Sequence, residues 1–92
     1  MRIPIRGITI EIYDYVSTFN ADTDWGSSVD GYYSISFAHN LNTQDIIVGV
    51  WDTTAGQQKA YPDLVESVNK NMVKISVSET PDGRFAGKIV IR

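Results

Sequence analysis

The sequence predicts an all-β fold, either a small antiparallel β-sandwich or a partly closed barrel, with a long N-terminal loop. Apolar and polar residues alternate along several short segments, and turn-forming residues separate these segments at intervals of roughly 8–12 residues, which is typical of such folds. A chain of 92 residues is long enough for one domain only. We expect a strand or arm over residues 1–16, a loop over residues 17–31 and the sandwich core over residues 32–92.

The N-terminal segment Arg2–Ile12 carries isoleucines at alternating positions, but the alternation slips by one residue around Gly7. A β-bulge at Gly7 restores the alternation. Pro4 cannot donate a hydrogen bond to a neighbouring strand, which predicts an edge strand or an arm that leaves the domain. The segment Ser17–Gly31 is polar and rich in turn-forming residues, so it is predicted to be the loop.

Ile46–Trp51 is the most apolar run of the sequence. Successive side chains of an extended strand point to opposite faces, and here both faces are apolar. We therefore expect the protein's own core to cover one face and another layer or another subunit to cover the other. The two sets are Ile46, Val48 and Val50 on one face, and Ile47, Gly49 and Trp51 on the other.

The flanks of this run predict further strands. Tyr32–Phe37 alternates as a half-buried antiparallel strand does, and His39–Asp45 connects it to the apolar run. Asp52–Gly56 predicts a reverse turn in which Gly56 takes the left-handed conformation. Gln57–Tyr61 then returns as the hairpin partner of the apolar run.

The C-terminal third predicts the remaining strands. Asp63–Val68 is compatible with a helix or a short strand, and its β-branched residues favour the strand. Val73–Val77 alternates clearly, and Thr80–Gly83 predicts a turn with Gly83 at positive φ. Phe85–Ile91 is predicted to be the closing strand.

Four separated segments resemble, in order and spacing, a module common in the virion proteins of tailed bacteriophages. That module has a His-Asn-Leu-Gly-Thr segment, a valine-rich strand ending in Tyr-Asp, a Thr-Gly-Glu turn and a final strand of alternating valines. Asn42 stands here for the glycine, Trp51 for the tyrosine and Gln57 for the glutamate, and an asparagine tolerates the left-handed conformation that a glycine favours. The segments are Phe37–Val48, Val50–Gln57, Asn71–Ile75 and Gly87–Ile91.

The resemblance implies a β-sandwich piece of a fibre, a tail tip or a capsid surface, frequently trimeric, that serves assembly or attachment. On this basis we expect a structural protein located in the virion, either in capsid decoration or a head fibre, or in a tail fibre or tail tip. Its expected partners are further copies of itself, with a trimer favoured, and other virion proteins. The expected interface residues are Ile47 and Trp51 of the apolar run, and Ile3, Ile5 and Ile8 of the N-terminal strand.

An alternative is a carbohydrate- or receptor-binding module that takes a host surface glycan. Aromatic side chains can stack on the apolar face of a sugar ring, and Trp25 and Tyr32 are the stacking candidates. Tyr33 and Trp51 could extend such a platform. The same side chains are also typical of core or subunit-interface packing.

A calcium site is a further possibility in the loop, where oxygen-bearing side chains occupy alternate positions as in calcium-binding loops. Gly26 comes one residue late for the sharp turn of an EF-hand, and Gly31 stands where a glutamate is needed. A solvated turn rich in Asn and Asp is the simpler interpretation. The candidate ligands are Asn20, Asp22, Asp24 and Asp30.

Other function classes find little support. His39 is the single histidine, without a second histidine or a cysteine for a metal site and without a catalytic triad around it, so we expect it to hold the connector. We therefore expect no enzyme and no cofactor. With no cysteine and a pI of about 4.8, the chain suits neither disulfides nor nucleic acid. No run approaches the roughly 18–20 apolar residues of a membrane span, so no membrane partner is expected.

Overall fold

The computed structural model describes the backbone of residues 2–5 and 8–11, and both backbone and side chains of residues 14–92. Within these residues the chain folds into nine β-strands. None of the described residues forms a helix long and apolar enough to cross a membrane. The strands are β1 (Arg2–Ile5), β2 (Ile8–Glu11), β3 (Tyr15–Phe19), β4 (Tyr32–Ala38), β5 (Val48–Asp52), β6 (Gln58–Ala60), β7 (Leu64–Asn69), β8 (Met72–Ser78) and β9 (Gly87–Ile91).

Two antiparallel sheets make up the body of the protein. One has the strand order β3-β9-β5-β6 and the other the order β4-β8-β7, while β1 and β2 pair with each other as a two-stranded hairpin. The sheets do not close into a barrel. The all-β prediction is confirmed, and the architecture is the sandwich-like one of the two that the sequence allowed.

The core forms between the inner faces of the two sheets. In β8 the alternation predicted over Val73–Val77 buries the apolar positions, and in β9 Ile89 and Ile91 are fully buried. Side chains of this size each gain about 1.5–3 kcal/mol when they are buried. The buried cluster consists of Phe19, Trp25, Ile35, Phe37, Val50, Val73, Ile75, Val77, Ile89 and Ile91.

Aromatic packing anchors the loop that follows β3. The ring of Phe19 lies 5.7 Å from that of Trp25 and 5.4 Å from that of Phe85, both in edge-on arrangements. The indole Nε1–H of Trp25 also donates a hydrogen bond of 3.0 Å to the carbonyl oxygen of Phe85. The loop is therefore held to the core at its middle although its sequence is polar.

The structure corrects two predictions for the N-terminal third. Arg2–Ile12 is not one strand, because Arg2 pairs with Glu11 and Ile5 with Ile8, so the chain folds back on itself; Gly7, where the bulge was predicted, lies outside the described residues. The loop begins at Asn20, because β3 extends through Phe19. Phe19 pairs with Gly87 and points into the core, and this inward alternation was hidden by the polar Ser17 and Thr18.

Two turn glycines behave differently. Gly56 has φ of 95°, as predicted. Gly83 is not in the left-handed region, so the prediction of a positive φ there is wrong. A glycine suits this position because space is short: a Cβ would lie 3.1 Å from Cβ of Val77.

Asp63–Val68 contains a strand and not a helix, which confirms the favoured of the two predictions for this segment. This strand, β7, is an edge strand with all six residues exposed, and its pairing with β8 is irregular between Ser67 and Asn69. The predicted hairpin partner of β5 is present as β6. The closing strand, β9, starts at Gly87, two residues later than predicted. Phe85 therefore precedes the strand, and its side chain packs against the core.

Gly87 is the most crowded glycine of the chain. A Cβ at this position would overlap the carbonyl oxygen of Trp51 and lie 2.8 Å from Cζ of Phe19. Both neighbours are fixed, one as backbone of β5 and the other as a core ring. The close approach of β9 to its surroundings therefore requires a residue without a side chain.

We predict that Gly87→Ala lowers the free energy of unfolding by about 1–3 kcal/mol, because overpacking must shift β5 or the Phe19 ring. Urea unfolding followed by far-UV circular dichroism measures this loss. Gly49→Ala is the matched control, since the nearest atom to its new Cβ is the flexible Nζ of Lys59 at 3.3 Å. Equal losses in the two variants would contradict the crowding argument.

Candidate functional site

An uncovered apolar patch lies on the side of the four-stranded sheet that faces away from the core. β9 is central in this patch, because Val90 pairs with Val16 of β3 on one side and with Gly49 of β5 on the other. Residues that pair directly across antiparallel strands share a face, so the patch is continuous across three strands. We call it the outer face, and it comprises Val16, Ile47, Gly49, Trp51 and Val90 with the cationic residues Lys59, Lys88 and Arg92.

The outer face exposes more apolar surface than a solvated sheet needs. Ile47 is 75% exposed and Val16 57% exposed, whereas Val50, on the opposite face of β5, is 3% exposed. A groove of about 290 Å³ lies between Ile47, Trp51 and Val90 and is bordered by Lys59 and Arg92. The two faces predicted for Ile46–Trp51 are thus present, one covered by the core and one open in this chain. The strand itself starts at Val48, and Ile47 pairs with Arg92 through two backbone hydrogen bonds of 2.7 and 3.0 Å.

Three cations border this apolar patch. The Nζ of Lys59 lies 5.0 Å from the centre of the Trp51 ring, close enough for a cation–π contact. Lys88 donates a hydrogen bond of 3.2 Å to the neutral side chain of Gln57. Arg92 has a carboxylate near it, with its Nε 3.8 Å from Oδ2 of Asp14.

The outward side of the three-stranded sheet is polar at its centre. Ser34 and Ser76 share a hydrogen bond of 2.7 Å between their hydroxyl oxygens. Lys74 and Glu66 form an exposed ion pair of 3.6 Å beside them. These polar groups pair with each other, and the exposed Leu64 on this side lies on the edge strand β7, whereas the outer face exposes apolar residues across its central strand.

The connector after β4 is built around His39. This side chain is 5% exposed, and its Nδ1 accepts a hydrogen bond of 3.1 Å from the backbone N–H of Leu41. Asn40 and Asn42 both adopt left-handed φ, 58° and 56°, as predicted for Asn42 from the glycine it replaces. The Asn42 N–H donates to the side-chain oxygen of Asn71 over 2.8 Å, which joins the connector to the β7–β8 turn. This geometry supports the structural role expected for His39.

We predict that His39→Leu lowers the free energy of unfolding by about 1–3 kcal/mol, because the partly buried N–H of Leu41 loses its acceptor. His39→Asn is the matched control, since an asparagine oxygen can accept the N–H two residues ahead and so lowers stability less. Thermal unfolding followed by circular dichroism compares the two. A larger loss in the asparagine variant would contradict this account of the connector.

A second surface feature lies at one end of the three-stranded sheet. Tyr32, 38% exposed, borders a wide cleft together with Asp30 and Asp63, and no lysine or arginine is among the described residues that line it. The Oδ2 of Asp63 accepts a hydrogen bond of 2.7 Å from the N–H of Ser78. We call this feature the acidic cleft, and its lining residues are Asp30, Gly31, Tyr32, Asp63 and Ser78.

Of the two predicted stacking residues, only Tyr32 has a ring that is accessible to a ligand. Trp25 is 7% exposed and its indole N–H is occupied by Phe85, so it packs in the core and cannot stack on a ligand. Tyr33 is half-buried and carries the guanidinium of Arg84 4.4 Å from its ring centre. Trp51 lies on the outer face, well removed in the fold from the cleft residues on β4, β7 and β8.

The proposed calcium ligands do not converge. Oδ2 of Asp24 accepts a hydrogen bond of 2.6 Å from the backbone N–H of Asn20, as in the solvated turn interpretation, and Asp30 belongs to the acidic cleft. Among the residues that the structure describes, no three His, Cys, Asp or Glu side chains come together as a metal site. Asp22, the fourth candidate, makes no hydrogen bond among the described side chains that would bring it into such a group.

The turn between β8 and β9 carries an exposed ion pair. Arg84 donates side-chain hydrogen bonds to both carboxylate oxygens of Asp82, from Nε to Oδ1 over 3.0 Å and from Nη2 to Oδ2 over 2.6 Å. The hydrogen bonds from Arg84 hold the pKa of Asp82 below its ordinary value. Asp82 is therefore a carboxylate engaged in its own turn.

The structure describes the side chains of two of the five residues predicted at an interface. The structure places Ile47 and Trp51 together on the outer face, whereas the side chains of Ile3, Ile5 and Ile8 lie outside the described residues. Sequence reasoning missed Val16 and Val90, and also the border of cations. The alternation of Tyr15–Phe19 could have revealed Val16, since it faces opposite to Phe19 by strand parity.

Fold and surface together define a small two-sheet antiparallel β protein with an apolar outer face. No protein-family model matches the chain, and neither does any curated protein or any solved structure.

Proposed function

We propose that this protein is a structural component of a tailed-phage virion that associates with copies of itself through the outer face. The site of action is then the virion, either in capsid decoration or a head fibre, or in a tail fibre or tail tip. The mechanism is packing, in which the outer face of each protomer is removed from water by a neighbour. A trimer is the favoured form.

The exposure of Ile47 and Val16 beside Trp51 is the observation that carries the proposal. Aliphatic and aromatic side chains that are contiguous on one face lose contact with water when a partner covers them, at roughly 25 cal/mol per Å². Tryptophan is among the residue types that contribute most at interfaces, and Trp51 lies beside these aliphatic side chains. Phage location is supported by the segments of Phe37–Ile91 that resemble virion modules.

The two left-handed asparagines add to the sequence argument. The module has a glycine at the position of Asn42, and Asn42 adopts φ of 56°, the conformation that a glycine favours. The departure from the module is therefore compatible with the same backbone. The connector, the β5–β6 hairpin and β9 keep the order that the module has.

We predict that Ile47→Asp and Trp51→Ala each convert the assembled protein to monomers or raise its dissociation constant at least about tenfold, since truncating a central interface residue costs roughly 2 kcal/mol or more. Light scattering coupled to size-exclusion chromatography at several concentrations measures this.

Val68→Asp is the control, because Val68 is 48% exposed but lies on β7, the edge strand of the other sheet, and not on the outer face. Its assembly should match that of the unchanged protein. A well-folded unchanged protein that stays monomeric at every concentration would refute self-association.

The genes that flank the coding sequence test the virion assignment separately. We expect capsid or tail genes beside it, and which of the two groups is found separates head from tail locations. A flanking set of unrelated metabolic genes would contradict the assignment without affecting the assembly result.

A carbohydrate- or receptor-binding module is the second candidate, and Tyr32 is the observation that favours it. Its partly exposed ring stands beside the carboxylates of Asp30 and Asp63, and aromatic and carboxylate groups are suited to the apolar face and the hydroxyls of a sugar. We predict that any glycan binding detected on an array is lost in Tyr32→Ala and kept in Trp25→Phe. Silence of the array at high protein concentration counts against this candidate.

A further inference from the structure

We infer that the partner of the outer face is the acidic cleft of a second copy of this chain, so that protomers join head to tail. The inference rests on the proposed self-association and specifies which two surfaces meet. It follows from the charges at the two surfaces, from their different positions in the fold and from the apolar groups that each exposes.

The outer face is a cationic surface on an acidic protein. Formal net charge of the chain is −3, yet Lys59, Lys88 and Arg92 all border the apolar patch. Of these, Arg92 has Asp14 near it at 3.8 Å, while Lys59 contacts the Trp51 ring and Lys88 a neutral amide. Neither lysine forms an ion pair with a carboxylate of residues 14–92, so no carboxylate in that part of the chain competes with one supplied by another molecule.

The acidic cleft has the complementary charge. Asp30 and Asp63 line it without a lysine or arginine among the described lining residues, and the backbone of Glu79 adjoins it through a hydrogen bond of 2.9 Å to the carbonyl oxygen of Gly31. Asp63 uses one oxygen for the N–H of Ser78 and keeps its other oxygen for a cation. The exposed Tyr32 ring gives the cleft an apolar wall for the aliphatic part of a lysine or for Ile47.

A contact between two outer faces is disfavoured by the same charges. It would place the lysines of both copies against each other, and like charges brought together at an interface cost several kcal/mol. Pairing the outer face with the cleft instead neutralises both surfaces. Because these are two different surfaces of the chain, the contact is heterologous, and repetition closes it into a ring or extends it as a filament. A small ring is the form that agrees with a trimer.

Two double variants test this pairing. Lys59→Glu/Lys88→Glu reverses the charge of the outer face, and Asp30→Asn/Asp63→Asn neutralises the cleft while keeping an acceptor for Ser78 and a residue that tolerates φ of 51° at position 30. Analytical ultracentrifugation of each variant should show a dissociation constant raised about tenfold or more, since close charge pairs at interfaces contribute at least that much. Circular dichroism confirms that each variant is folded.

Glu66→Gln/Lys74→Gln is the matched control, because it neutralises an exposed pair on the outward side of the other sheet. This control should assemble as the unchanged protein does. If it weakens assembly as much as the cleft variant, the assignment of the cleft is overturned.

Measuring the two test variants both alone and mixed distinguishes head-to-tail from symmetric pairing. Each mixture component retains one intact surface, the cleft in the lysine variant and the outer face in the aspartate variant, so a one-to-one heterodimer should form where neither component self-associates strongly. A contact between two outer faces instead leaves the aspartate variant assembled to the same extent as the unchanged protein when it is measured alone, which overturns the inference. Unchanged protein that is monomeric would refute the proposed self-association itself, whereas assembly that is unaffected by the aspartate variant refutes only this pairing.

Discussion

The pairing of β9 with both β3 and β5 is the interaction on which the rest of the structure depends. It joins a strand near the beginning of the described sandwich to one at its end, and it turns Ile89 and Ile91 into the core while Val90 faces outward. The outer face exists because this register aligns Val16, Val90 and Gly49 in one row. Gly87 allows the pairing, since any side chain there would collide with β5 and with Phe19.

Much of the fold could be predicted because its central strands carry a clear alternation. Val73–Val77 alternates strictly between apolar and polar residues, and a period of two residues determines which side chains turn inward. The N-terminal third was less predictable for a physical reason. Isoleucines at positions 3, 5, 8 and 10 fit a bulged strand as well as a hairpin that turns between Ile5 and Ile8, and only the pairing of Arg2 with Glu11 separates the two.

The candidate site was predictable in part. Two apolar faces in Ile46–Trp51 indicated that one of them would need a cover, and this located Ile47 and Trp51. The direction of Trp25 could not be predicted, because a tryptophan in a polar loop has no neighbouring alternation to orient it; aromatic contacts with Phe19 and Phe85 decide it. The cationic border could not be predicted either, because Lys59 and Lys88 are 29 positions apart in sequence. Only the strand order β9-β5-β6 places them on the same face.

The two tryptophans lie in different environments, so their fluorescence reports on two different properties of this protein. Trp25 is enclosed by aromatic rings and hydrogen-bonded to backbone, whereas Trp51 sits at the surface under the ammonium of Lys59. The intrinsic fluorescence of Trp25 therefore depends on whether the sandwich is folded, and that of Trp51 on what covers the sheet. Since the chain has no other tryptophan, replacing either one by phenylalanine leaves a single indole, which can be excited at wavelengths that the tyrosines do not absorb. Folding and association then become separately visible without an added label.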